Sequence, residues 1–274
     1  MPTVSQQKAK KPEFKGCLSK IVPVGTLSKG LKLLAYGKGK TGKTRLFSTF
    51  KKPALLVGTE DGTNSIADVE DLDFFPLTAS KDLDEVCEML RSGYYKSVGL
   101  DTAGGLQDLI IKEVLNLDEI PITKSWGMAR KQDWGAIGNQ FKERVRNLID
   151  LADGGVLDVM IIAHERNFND EDDRAEIKPT IGAALTPGSA GWLNGACDYV
   201  CQTFLREGTE IHTQKVGDQE IKTERKTGKI EYCLRIGQHP VYITGFRVRS
   251  KLDDLPDHIV DPSYVKIMKL VQGD

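Results

Sequence analysis

No apolar run in this sequence approaches 18 residues, which excludes a helical membrane span. The amino-terminal stretch MPTVSQQKAKKPEFKG lacks the apolar core of a secretory signal. Cysteine is sparse, and Cys17, Cys87, Cys197, Cys201 and Cys233 follow neither a disulfide framework nor a zinc-ligand spacing. These absences point to a reducing, cytoplasmic setting without membrane contact. Neither charge sign is in excess, since 38 Lys and Arg stand against 39 Asp and Glu, so total charge names no partner. What is present is ordinary for a globular chain: 274 residues, 39% apolar and 28% charged, enough for one large domain with appendages. Collagen, coiled-coil and wholly disordered classes are excluded.

The distribution of charge is lopsided. Residues 1–52 hold twelve Lys, Arg45 and a single acid, Glu13, so the remaining 222 residues carry the acidic excess. A basic head on an acidic body points to a polyanion near the amino-terminal segment, either a nucleotide or a nucleic acid. Residues 1–28 show no helical or strand period and read as a flexible basic arm.

From there the chain alternates. Gly30–Gly37 reads as a buried strand, KTRLFSTF as a helix start, Pro53–Gly58 as a second strand and DFFPLTA as a short third. Asp82–Arg91 has one-face helical spacing with Ser80 as its expected N-cap. SVGLD, Ser97–Asp101, is a strand ending in an acid, followed by a helix over about Leu106–Leu115. Residues 117–133 read as irregular. FKERVRNLIDLA forms a helix stopped at Gly154 and Gly155, and VLDVMIIAH is another buried strand. This order predicts a mainly parallel sheet with helices on both faces. From about 199 to 250, short strand-like runs separated by VGD, KTG and GQHP predict an antiparallel meander. The core is expected over 29–261, with a final helix in 262–274.

GKGKTGKT, Gly37–Thr44, satisfies G-x-x-x-x-G-K-[ST] and sits between a predicted strand and a predicted helix. Gly37, Gly39 and Gly42 let backbone amides turn onto phosphate oxygens, with Lys38, Lys40, Thr41 and Arg45 completing the loop and its helix start. Lys43 reaches the β- and γ-phosphates, and the Thr44 hydroxyl ligates Mg²⁺. A nucleotide hydrolase also needs a strand-end carboxylate behind the metal, for which Asp101 is the natural choice. Water attack needs an orienting or basic group. Glu60, just after the second strand, faces the same crevice, and Asp61 competes, although its Asp-Gly context also explains it as a turn former. His164, ending MIIAH, is placed either as a γ-phosphate sensor or as an ordinary loop histidine.

GKGKTGKT, LLVGTED, VGLDTAGGL and VMIIAHER, in that order, resemble the RecA family of P-loop ATPases. Within it, the chain is most similar to short RecA-like proteins of bacteriophages, including single-strand annealing recombinases. The resemblance spans about residues 28–260. It implies a RecA-like P-loop NTPase fold, ATP and Mg²⁺ as ligands, Glu60 as water activator, Asp101 as the metal-side acid and His164 at the position coupling ATP to DNA, where glutamine is usual. It also implies DNA loops at about 117–135 and 166–190. In the first, Lys124, Arg130 and Lys131 interleave with Trp126 and Trp134, a pattern suited to phosphate contact and base stacking. The acids of NDEDDR in the second would repel DNA.

Family members complete their site with a neighbour's cation, for which Arg247, Arg249 and Lys251 are candidates. The implied partners are single-stranded DNA, further copies in a ring or filament, and a phage or host single-strand-binding protein. The expected function is an Mg-dependent, DNA-stimulated ATPase in recombination, repair or replication. A nucleotide-dependent loader with negligible hydrolysis is the alternative. A GTPase reading, from DTAGG and SKLD, fits the spacing poorly.

Overall fold

The computed structural model describes residues 16–23, 29–120, 129–155, 157–168, 180–216, 219–247 and 255–273. Among the described residues the strands are β1 (Lys32–Gly37), β2 (Ala54–Gly58), β3 (Leu72–Pro76), β4 (Ser97–Asp101), β5 (Asp158–Asn167), β6 (Ile181–Ala183), β7 (Tyr199–Val216), β8 (Gln219–Arg235), β9 (Gly245–Phe246) and β10 (His258–Val260). The helices are α1 (Lys43–Phe47), α2 (Asp82–Leu90), α3 (Ala103–Leu115), α4 (Lys131–Asp153), α5 (Pro187–Ala196) and α6 (Tyr264–Gln272).

The strands form one sheet in the order β10-β8-β7-β1-β5-β4-β2-β3, with β6 paired to β5 and β9 to β7. Neighbours from β7 through β3 are parallel, whereas β8, β10, β6 and β9 pair antiparallel. This is a mixed α/β architecture with a mainly parallel sheet, helices on both faces and antiparallel strands on the carboxyl-terminal side. Every residue of β1 is buried, as expected for a parallel strand covered on both sides. Alternation then assigns Leu34 and Tyr36 to one core, with α2, α3, α4 and α5, and Leu33 and Ala35 to the other, with α1 and α6. Strands β2 to β5 lie to one side of β1 and β7 and β8 to the other. The loop after β1 therefore sits at the reversal of strand order, where crevices open in such sheets.

Several expectations need correction. Ser80 does not cap α2: Lys81 is the N-cap, and the buried Ser80 hydroxyl bonds the Glu113 carboxylate while accepting from Arg144 Nε. The stretch 117–133 is not irregular throughout, because α4 already begins at Lys131, with the Asp133 carboxylate accepting the Arg130 backbone N–H at 2.7 Å. KTG is not a turn between separate strands. Instead β7 and β8 form one long hairpin in which Lys226–Ile230 bulges against Glu207–Thr209, with Gly228 at φ 74° and Thr227 Oγ1 donating to the Gly208 carbonyl at 3.0 Å. The segment 180–190 holds β6 and the start of α5, not a bare loop. Among the described residues of VYITGFRVR, Gly245–Phe246 alone forms a strand.

Among the described residues, no helix is long and apolar enough to cross a membrane. The arm expected over 1–28 lies largely outside the described residues.

Candidate functional site

The carboxyl ends of the parallel strands converge on one crevice. Gly37 ends β1 and is in register with His164 of β5 on one side and Thr203 of β7 on the other. Asp101 ends β4 opposite Gly58 of β2, and Glu60 follows shortly after β2. The loop over these ends is held by close contacts. A Cβ at Gly37 would strike the Thr203 carbonyl, so only glycine lets the loop leave β1 here. Thr41 Oγ1 donates to the Lys38 carbonyl at 2.8 Å and pairs with Thr203 Oγ1 at 2.7 Å. Gly42 adopts φ 87°, the left-handed turn that starts α1.

The Lys43 ammonium is folded into the loop, donating to the carbonyls of Gly37 at 3.0 Å and Lys38 at 2.6 Å. Burial pushes its pKa below the ordinary lysine value, opposed by the carboxylates of Asp101, Glu165 and Glu60. Thr44 Oγ1 donates to Asp101 Oδ2 at 2.7 Å. Burial raises the Asp101 pKa, opposed by the Thr44 hydrogen bond, while Glu60 raises it further and Lys43 and His164 lower it. Glu60 Oε1 stands 3.6 Å from His164 Nε2, beyond hydrogen-bond length, and 3.5 Å from Thr102 Oγ1. Asp61 instead accepts the Thr63 hydroxyl at 3.0 Å. The resulting cleft, about 540 Å³, brings together Lys40, Lys43, Thr44, Glu60, Asp101 and His164.

Among the described residues no group of three or more His, Cys, Asp or Glu is placed to hold a metal. The paired Thr44 hydroxyl and Asp101 carboxylate offer the hard oxygen donors that suit Mg²⁺, which keeps waters and takes further ligands from bound phosphates.

Residues 29–232 match the family described as AAA domain. The chain belongs to this AAA domain family. It is therefore an AAA-type P-loop ATPase domain, and nucleotide binding is the property its family supplies. A search of curated proteins finds no match. The family match ends at Tyr232 on β8, so β10 and α6 of this AAA domain lie beyond it.

The other sequence-predicted residues are dispersed. Lys124, Trp126, Arg249 and Lys251 lie outside the described residues. Arg130 and Lys131 form the start of α4, and Trp134, 39% exposed, lines a separate groove of about 540 Å³ with Lys142, Arg166 and Gly188. Arg247 is ion-paired with Asp198, at the amino ends of the parallel strands and away from the phosphate loop.

Sequence reading missed Thr203, which anchors the loop, and Tyr232, whose ring lies against Gly42. Thr203 ends the apolar run YVCQT, whose parallel pairing with β1 was the missing signal. Tyr232 comes from a hairpin more than 180 residues after the loop, and no local pattern marks it.

Proposed function

We propose that this AAA domain hydrolyses Mg-ATP as a RecA-like ATPase and works on single-stranded DNA in phage-type recombination, repair or replication. The observation that carries the proposal is the meeting of Lys43, Thr44, Asp101, Glu60 and His164 in one cleft at the strand ends. Lys43, already desolvated, exchanges the Gly37 and Lys38 carbonyls for phosphate oxygens. Thr44 and Asp101 hold Mg²⁺, which offsets developing phosphate charge when bound. Glu60 orients water, and its solvent-facing carboxylate is free to approach it. The DNA reading is supported by the exposed Trp134 ring in a groove flanked by Lys142 and Arg166, a stacking surface beside cations. Further copies and a phage or host single-strand-binding protein are the partners this reading carries.

The test is ATP turnover with and without single-stranded DNA. The proposal expects DNA-stimulated hydrolysis that is lost in Lys43→Ala, and flat, near-zero turnover would instead mark a nucleotide-dependent loader. Tighter binding of GTP than ATP would move the assignment to a GTPase.

A further inference from the structure

A second hollow of about 410 Å³ opens from the phosphate cleft past Gly42 and Arg45, and Tyr232 forms a wall shared by both. The two differ in chemistry. The phosphate side is edged by Glu60, Asp61 and Asp101, whereas the second hollow is walled by Leu46, Ile230, Tyr232 and Pro262. A nucleotide whose phosphates occupy the loop places its flat, weakly polar base on the apolar side. Ile230 and Tyr232 keep 61% and 40% of their surface exposed, so apolar area stands uncovered there.

Of the polar side chains lining this hollow, Thr41 and Thr49 are committed, while Arg45 is exposed. Thr41 is bonded to Lys38 and Thr203, while Thr49 Oγ1 donates to the Leu46 carbonyl at 2.7 Å and accepts the Tyr264 N–H at 2.8 Å. Asp261 differs. Its backbone is fixed at the turn from β10 into α6, with its N–H donating to the Tyr232 carbonyl at 2.7 Å and its own carbonyl accepting from Lys266 Nζ at 2.9 Å. Its carboxylate has no hydrogen bond or ion pair among the described residues, and it is the one acid lining the hollow.

We propose that Asp261 is a specificity-determining residue that accepts a hydrogen bond from the exocyclic amine of the purine, with the base lying against Tyr232 and Ile230. This rests on the ATP-binding reading above. It assigns base discrimination to the segment after β8, which the AAA domain match does not cover. A carboxylate favours the 6-amino group of adenine and repels a carbonyl oxygen in the same place, since it can only accept.

The experiment compares ATP with ITP, which carries a carbonyl in place of that amine, as competitors of a fluorescent ATP analogue on the wild-type protein and Asp261→Asn. Asn tolerates the left-handed backbone that Asp261 adopts at φ 45°, so the turn is kept. Its amide can also donate to a carbonyl. The wild-type protein should bind ATP about tenfold more tightly than ITP, the scale of one lost hydrogen bond facing a repelled acceptor. In Asp261→Asn the two should agree within about twofold. Inorganic tripolyphosphate should compete equally with both proteins, which reports an intact phosphate loop. An unchanged ATP to ITP ratio in the variant would overturn the role of Asp261 alone. Absence of ATP binding by the wild-type protein would overturn it together with the reading beneath it.

Discussion

Thr44 Oγ1 donates a 2.7 Å hydrogen bond to Asp101 Oδ2, joining the first turn of α1 to the end of β4 across 57 residues of sequence. On the Mg-ATP reading proposed above, this hydroxyl and this carboxylate would hold the ion carried by the bound phosphates. Removing the hydroxyl takes away both a ligand and the group that orients Asp101. Thr44→Ala should lower ATP turnover by about 100-fold, near the loss of one well-placed electrostatic contact, and raise the Mg²⁺ concentration for half-maximal rate. A magnesium titration at saturating ATP checks this, and chelation by EDTA should stop turnover by the wild-type protein.

The same pair predicts a stability effect of definite sign. Burial raises the pKa of Asp101 above its unfolded value. Its contribution to stability is therefore present below the unfolded pKa and lost as pH rises through the higher native one. At neutral pH the nucleotide-free protein therefore bears a cost at this carboxyl that the unfolded chain does not. Asp101→Asn, which keeps an acceptor for Thr44, should raise the melting temperature at pH 7 by about 2–4 °C while reducing turnover. The gain should shrink toward acid, where the wild-type carboxyl is protonated in both states. Melting curves from pH 3 to pH 8 read it out.

Two groove residues should separate stacking from charge. Trp134→Ala should weaken single-stranded DNA binding by about tenfold, the lower part of the range for one stacked base, and leave the salt slope unchanged. Lys142→Ala should weaken binding less at high salt and reduce the slope of log affinity against log salt by about one unit. Fluorescence anisotropy over a salt series measures both.

The phosphate loop and its strand-end partners were legible because local chemistry writes them. Buried parallel strands read as apolar runs, so SVGLD matched β4 residue for residue, and Asp101 stood where a run stopped. The glycines and Lys43 followed from what a phosphate demands. The later hairpin was not legible in the same way. Turn-forming KTG marks a bend in isolation, but pairing across Glu207–Thr209 and Lys226–Ile230 absorbs it as a bulge, a decision made by the opposite strand. Ser80 has the chemistry of a cap, yet Glu113 and Arg144, from α3 and α4, take its hydroxyl. Helix α5 escaped notice because PGSAGWLNGA is rich in glycine and weakly amphipathic. It is held by Gln107 of α3, whose side chain bonds Thr186 and Ser189 at its start. Tyr232 and Asp261 reach the site only through the tertiary fold.

The central claim is that this cleft hydrolyses ATP with Glu60 preparing the water. Equilibrium Mg-ATP binding and steady-state turnover, measured side by side for the wild-type protein and Glu60→Gln, test it most directly. The account predicts affinities within about twofold, because Glu60 lies beside the phosphate loop rather than in it, with turnover reduced by at least about 100-fold. Turnover retained in Glu60→Gln would contradict it and move the water-activating role to another group, of which Asp61 is the nearest in sequence.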